Sequence, residues 1–179
     1  MNIMIASDIH GSAKYCRAML EAFVREEPDK LLLLGDLLYH GPRNALPGEY
    51  DTKAVAEMLN GIKSKVLCVR GNCDCEVDQM MLDFPIMAEY CLLFAVNKVI
   101  FATHGHVFNK RNLPEADILL HGHTHVPAWE DLGGGKLYVN PGSVSIPKDG
   151  SRHSYMMLTD DGMFWKDLAG GEVYHTEKL

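Results

Sequence analysis

No apolar stretch in this chain approaches the ~20 residues a membrane-spanning helix needs. Basic residues are scarce: 17 Lys and Arg stand against 24 Asp and Glu, for a net charge of −7. There is no basic run, and an acidic surface repels a phosphate backbone, so no nucleic-acid partner is expected. A small phosphoester remains open, because bound cations can reverse the local field. The five cysteines match neither C-x-x-C nor a paired zinc motif, which predicts reduced thiols and a cytoplasmic setting. No positively charged region precedes the first apolar run, so a signal peptide and a membrane role are not expected. Repeats, low-complexity tracts and linkers are absent, and residues 1–179 read as one domain.

Against this background stand five short apolar runs, each ending in a polar residue of metal-ligand type near glycine. Ile3 to Ala6 leads to Asp8 and His10-Gly11, and Leu31 to Leu34 leads to Gly35-Asp36. Val66 to Val69 leads to Gly71-Asn72, Val99 to Ala102 to His104-Gly105, and Ile118 to Leu120 to His121-Gly122-His123-Thr124-His125. Runs of this length read as buried strands. In open α/β sheets the binding crevice lies outside the carboxyl ends of the strands. The five ends are therefore predicted to converge on one site.

The intervening segments support an α/β fold. Ser12 is a candidate N-cap for a helix whose Cys16, Met19, Leu20 and Phe23 share one face, and Pro28 closes it. Asp51 caps a second helix carrying Val55, Met58, Leu59 and Ile62. Strands alternating with helices predict a mostly parallel sheet with right-handed crossovers. Beyond residue 74 the texture changes. A short helix over 77–82 is followed by strands at 85–90, 92–96, 98–103 and 118–120, then a meander at 126–131, 136–140, 143–146, 153–160, 162–168 and 172–176. The expected architecture is a two-sheet sandwich flanked by helices.

Asp, Asn and His supply mixed oxygen and nitrogen ligation. Asp8, His10, Asp36, Asn72, His104, His123 and His125 exceed what one tetrahedral zinc uses, and suit two ions sharing one carboxylate. Such a pair acidifies a shared water and clamps a phosphoryl group for in-line attack. His106 and His121 flank the ligands but by alternation face elsewhere. The loop Tyr39 to Tyr50 leaves the same sheet edge, so Arg43 is a candidate phosphate contact.

In combination, Asp8-x-His10, Gly35-Asp36, Gly71-Asn72-x-Asp74, His104-Gly105 and Gly122-His123-x-His125 resemble the five-block signature of the calcineurin-like metallophosphoesterases. The resemblance implies a four-layer α/β/β/α fold. It places Asp8, His10 and His125 on a first metal, Asn72, His104 and His123 on a second, and Asp36 on both. Asp36, Asn72, Cys73 and His104 form the implied catalytic core. The implied cofactors are two divalent transition-metal ions, Mn first, with Zn, Fe, Ni and Co as alternatives. The implied activity is hydrolysis of small phosphodiesters by a hydroxide shared between the metals. A phosphomonoesterase, or a protein-interaction scaffold like the retromer subunit of this family, are the alternative readings. A homodimer or homotetramer is compatible with it. One position departs from the pattern: most of the family has His where this chain has Cys73, which removes a group able to carry positive charge near pH 7. Cys73 is read either as a substrate contact or as a small residue that widens the site. Asp74 is expected to orient a ligand or the turn backbone.

Overall fold

The computed structural model describes residues 1–179. The first half alternates strand and helix: β1 (Ile3–Ala6), α1 (Ala13–Glu26), β2 (Lys30–Leu33), α2 (Thr52–Asn60), β3 (Val66–Cys68) and α3 (Glu76–Met81). Strands then dominate: β4 (Tyr90–Ala95), β5 (Lys98–Thr103), β6 (Ile118–Leu120), β7 (Ala128–Asp131), β8 (Leu137–Asn140), β9 (Ser154–Thr159), β10 (Gly162–Asp167) and β11 (Val173–Glu177).

Local chemistry explains the helix limits. The Ser12 hydroxyl accepts from Tyr15 N at 3.3 Å, and Asp51 accepts from Ala54 N at 3.0 Å, so each helix start satisfies a free amide. Helix α1 ends at Glu27, which takes a left-handed conformation just before Pro28.

The strands form two mixed sheets, in orders β11-β10-β9-β1-β2-β3 and β4-β5-β6-β8-β7. Each contains one parallel trio, β1-β2-β3 and β5-β6-β8. Side chains that alternate along the inner strands separate two cores. Ile3, Ile5, Leu32 and Leu34 meet Ile100, Ile118, Leu120 and Trp165 between the sheets. Met4, Leu31 and Leu33 face the other way, onto Cys16, Met19, Val55 and Leu59 of the helices. Full burial of each such aliphatic side chain contributes about 1.5–3 kcal/mol. These cores hold the two trios in register, so six parallel strands end at one edge of the sandwich.

Two expected strands do not form. Residues 85–89 join no ladder, and a backbone bond from Arg70 N to Ala88 O ties them to the segment that follows β3. Residues 143–146 are a loop: Val144 N and Ser145 N donate to Ser7 O and Asp8 O, past the end of β1, instead of to a neighbouring strand. The chain after Val126 is also not one meander, because β7 and β8 join the second sheet while β9, β10 and β11 extend the first.

Candidate metal centre

Each strand of the two trios delivers a polar group to the shared edge. Asp8 and His10 follow β1, Asp36 follows β2, and Asn72 follows β3. His104 follows β5, His123 and His125 follow β6, and Ser143 and Ser145 follow β8. The backbone there is unusual. Asp8, His10, Asp36, His123 and His125 all have φ between 49° and 66°. Non-glycine residues avoid this region, and such strain persists only where the surroundings over-determine it. Asp and His are among the few non-glycine types that tolerate this region, but their presence alone does not announce it.

Three imidazoles are oriented by the same device. Nδ1 of His10 bonds Tyr39 O at 2.8 Å, Nδ1 of His125 bonds Ile146 O at 2.6 Å, and Nδ1 of His104 bonds Leu34 O at 2.6 Å. A carbonyl only accepts, so each Nδ1 carries the proton and each Nε2 of a neutral ring presents a lone pair. Those lone pairs face one another. His10 Nε2 and His125 Nε2 are 3.1 Å apart. His104 Nε2 lies 3.1 Å from Asn72 Oδ1, 3.2 Å from His123 Nδ1 and 3.4 Å from Asp36 Oδ2. Asp8 Oδ1 is buried and accepts no hydrogen bond, although His125 Nε2 stands 3.3 Å away. Acceptors packed against acceptors in a dry site repel unless a cation lies among them. The donor set therefore fits divalent metal ions. Two groups, Asp8-His10-His125 and Asp8-Asp36-His104, each gather their ligand atoms within 4.8 Å.

The electrostatics agree. Burial would raise Asp8, but His10 and His125 overcome it and hold its carboxyl well below the usual carboxylate range. Burial opposes charge on His104, yet hydrogen bonding to Asp36 and the nearby Asp8 charge push it up to about 9. Without metal, the cage recruits protons to balance its carboxylates.

The supporting groups are specific. Asp74, buried, accepts from Asp36 N at 2.8 Å, Leu37 N at 2.9 Å and Gly71 N at 2.7 Å. It ties the end of β2 to the end of β3 and takes no part in the cage itself. Gly71 is forced by this closeness, since a Cβ there would collide with the Asp36 carboxylate. Asn140 donates to Gly122 O at 2.7 Å and to Thr124 Oγ1 at 3.0 Å, which fixes the turn bearing His123 and His125. Ser143 and Ser145 hydroxyls both donate to Asp8 O, at 2.9 and 3.0 Å. Sequence reasoning assigned no role to Asn140, Ser143 or Ser145. The available signal was the Asn140-Pro141-Gly142-Ser143 stretch, which ends β8 and turns out of it at the sheet edge.

Cys73 borders the cage, its amide donating to Asp36 Oδ1 at 2.8 Å. Burial, with the Asp36 charge beside it, pushes its thiol up to about 12, so it is neutral at physiological pH. His121 turns away and packs its ring on Tyr138 at 4.0 Å. His106 stands beside the cage, its ring 5.4 Å from that of His104. Above the cage opens a cleft of about 420 Å³, lined by Arg43, Asn44, Cys73 and also by Thr124 and Lys148, which sequence reasoning missed. No helix is long and apolar enough to cross a membrane.

Comparison with known proteins agrees with this geometry. Residues 1–162 match the model of the calcineurin-like phosphoesterase superfamily domain. The chain is 50% identical over 164 residues to the phosphodiesterase YfcE of Escherichia coli K12, covering 90% of this chain and 89% of that protein. It is 28% identical over 187 residues to the probable metallophosphoesterase YsnB of Bacillus subtilis, covering 97% and 95%. The solved structure of YfcE, described as a phosphoesterase from E. coli, superposes with a TM-score of 0.95 at 44% identity over the full length of both chains.

Proposed function

The chain belongs to the calcineurin-like phosphoesterase superfamily, and on that premise we propose that it is a metal-dependent phosphodiesterase acting on small phosphodiesters at a two-metal site. Asp8, His10 and His125 would hold one ion, Asn72, His104 and His123 would hold the other, and Asp36 would serve both. Divalent cations held there supply Lewis acidity that stabilises charge on the phosphoryl group and acidifies water. The observation that carries this reading is the convergence of ring nitrogens and carboxylate oxygens, with three of the four rings held at Nδ1 by backbone carbonyls so that each, when neutral, offers its Nε2 lone pair to the cage.

The chain's own groups do the rest. The carbonyls of Tyr39, Ile146 and Leu34 fix the tautomers, so the Nε2 lone pairs need no reorientation as cations arrive. Arg43 reaches the cleft and can fork onto non-bridging phosphate oxygens. Cys73, a neutral thiol, donates at most a weak hydrogen bond. It does not supply the positive charge or ready proton that an imidazole would give a departing alkoxide. Esters whose leaving alcohol is already acidic should therefore be the better substrates. The full set of ligand-competent residues weighs against a scaffold that has lost its chemistry.

The test is a parallel assay of Mn-loaded protein on an aryl phosphate monoester and a bis-aryl phosphodiester. Faster turnover of the diester supports the proposal. Turnover of the monoester alone would reassign the protein as a phosphomonoesterase.

A further inference from the structure

Two cations border the cleft without serving the fold. Arg43 and Lys148 are exposed and, like seven other Lys and Arg side chains, enter no ion pair; what sets these two apart is that both line the cleft, where they are its only Lys and Arg. Even the adjacent Asp149 leaves Lys148 free. In a chain of net charge −7, unpaired cations gathered at one cleft mark what the cleft attracts.

Lys148 is not on a loose loop. Its amide donates to His125 O at 3.2 Å, and its own carbonyl accepts from Ser151 N at 3.0 Å and Ser151 Oγ at 2.7 Å. Two residues earlier, Ile146 O holds the His125 ring. The backbone of Lys148 is thus tied to the cage through its amide and closed into a turn by Ser151, while its side chain lines the cleft.

The cleft otherwise offers little affinity. Of its twelve lining residues one is hydrophobic, Pro42, and none is Phe, Tyr or Trp. A nucleobase or aryl group finds no Phe, Tyr or Trp face to stack on. Binding must come from charge and hydrogen bonds. A phosphodiester carries one negative charge, and the cage with Arg43 already addresses it. Lys148 is surplus to that need.

We propose that Lys148 determines specificity by binding a second anionic group, carried on an alcohol portion of the substrate. The substrate class is then a compact phosphodiester with at least two negative charges. This rests on the phosphodiesterase reading above.

The experiment compares two p-nitrophenyl phosphodiesters on metal-loaded protein. In one the second alcohol bears a carboxylate, in the other an isosteric neutral amide. The wild-type chain is expected to show a KM about tenfold lower for the carboxylate ester, as one charge-assisted contact predicts. Lys148→Gln should bring the ratio of the two KM values close to one, Lys148→Arg should restore most of it, and Lys53→Gln, on an exposed face of α2, should leave it unchanged. A wild-type ratio near one, or a ratio that survives Lys148→Gln, would overturn the proposal. Calorimetry with phosphonoacetate against methylphosphonate decides the same question without turnover. If neither ester is hydrolysed but phosphonoacetate binds more tightly and loses that advantage in Lys148→Gln, the diesterase reading has failed and the second-anion site stands. Equal binding of the two phosphonates would overturn the site.

Discussion

Asp8, His10 and His125 are 0%, 1% and 3% exposed, whereas on the other side of Asp36 Asn72 is exposed and His123 half-buried. The two halves of the cage also differ in how they are held. In the deep half both imidazoles are pinned by backbone carbonyls, and Asp8 is tied down through its own carbonyl by Ser143 and Ser145. In the open half only His104 is pinned in this way. His123 turns Nδ1 itself toward the cage, and Asn72 is steadied by a contact from its amide to Cys73 Sγ at 3.2 Å. Preorganisation lowers the cost of binding. The deep half should hold its ion tightly, and the open half should exchange its ion and admit substrate.

The strongest way to break this contrast is to remove what the halves share. Asp36→Ala is expected to lower turnover roughly a thousandfold or more and to reduce metal content below two ions per chain, because in the proposed centre this carboxylate would serve both sites. Mass spectrometry of the native protein together with an ester assay checks this. Full metal content at the wild-type rate would remove Asp36 from the centre.

Asp74 supports the junction from behind. Asp74→Ala would leave the buried amides of Asp36, Leu37 and Gly71 without an acceptor, at about 1–3 kcal/mol per unsatisfied group. Urea denaturation should show a loss of at least about 3 kcal/mol, and Asp74→Asn a smaller one. A loss under 1 kcal/mol would mean that water replaces the carboxylate with ease.

Single-ligand variants sharpen the contrast between halves. Calorimetric titration with metal should show two unequal steps. His125→Ala should abolish the tighter step, and His123→Ala should weaken only the looser one, by about 10–100-fold. Two equal steps would erase the distinction drawn here. The looser step should also weaken as pH falls. His104, pushed up to about 9 in the metal-free cage, must release a proton to ligate, so below that pH metal competes with it.

The smallest effect concerns Cys73. Among phenol esters of graded pKa, rates should rise as the leaving phenol becomes more acidic, and Cys73→His should flatten the dependence. No dependence in the wild-type chain would argue against the missing acid.

Much of the strand arrangement, and the position of the polar groups that end the strands, is legible in the sequence. Strands buried on both faces are short apolar runs, and a polar residue that ends such a run stands at the sheet edge whatever the neighbours do. That logic located Asp8, Asp36, Asn72, His104 and the His123/His125 turn. It failed where the partner lies far away in sequence. The antiparallel insertion of β9 beside β1 joins residues more than 150 positions apart, and no local signal encodes it. Residues 143–146 alternate like a strand, yet their amides and hydroxyls serve the end of β1. The left-handed backbone at five cage residues is uncommon even for Asp and His, so only the assembled site reveals it. Lys148 was overlooked for a related reason: a lone lysine in a Pro-Lys-Asp-Gly turn reads as surface until His125 is seen to anchor it.

The most direct test of the central claim is anomalous diffraction, at the absorption edge of the loaded metal, from crystals of this chain. Two peaks are predicted, one among Asp8, His10 and His125 and one among Asn72, His104 and His123, with Asp36 touching both. A single peak, or ions placed away from these side chains, would contradict it.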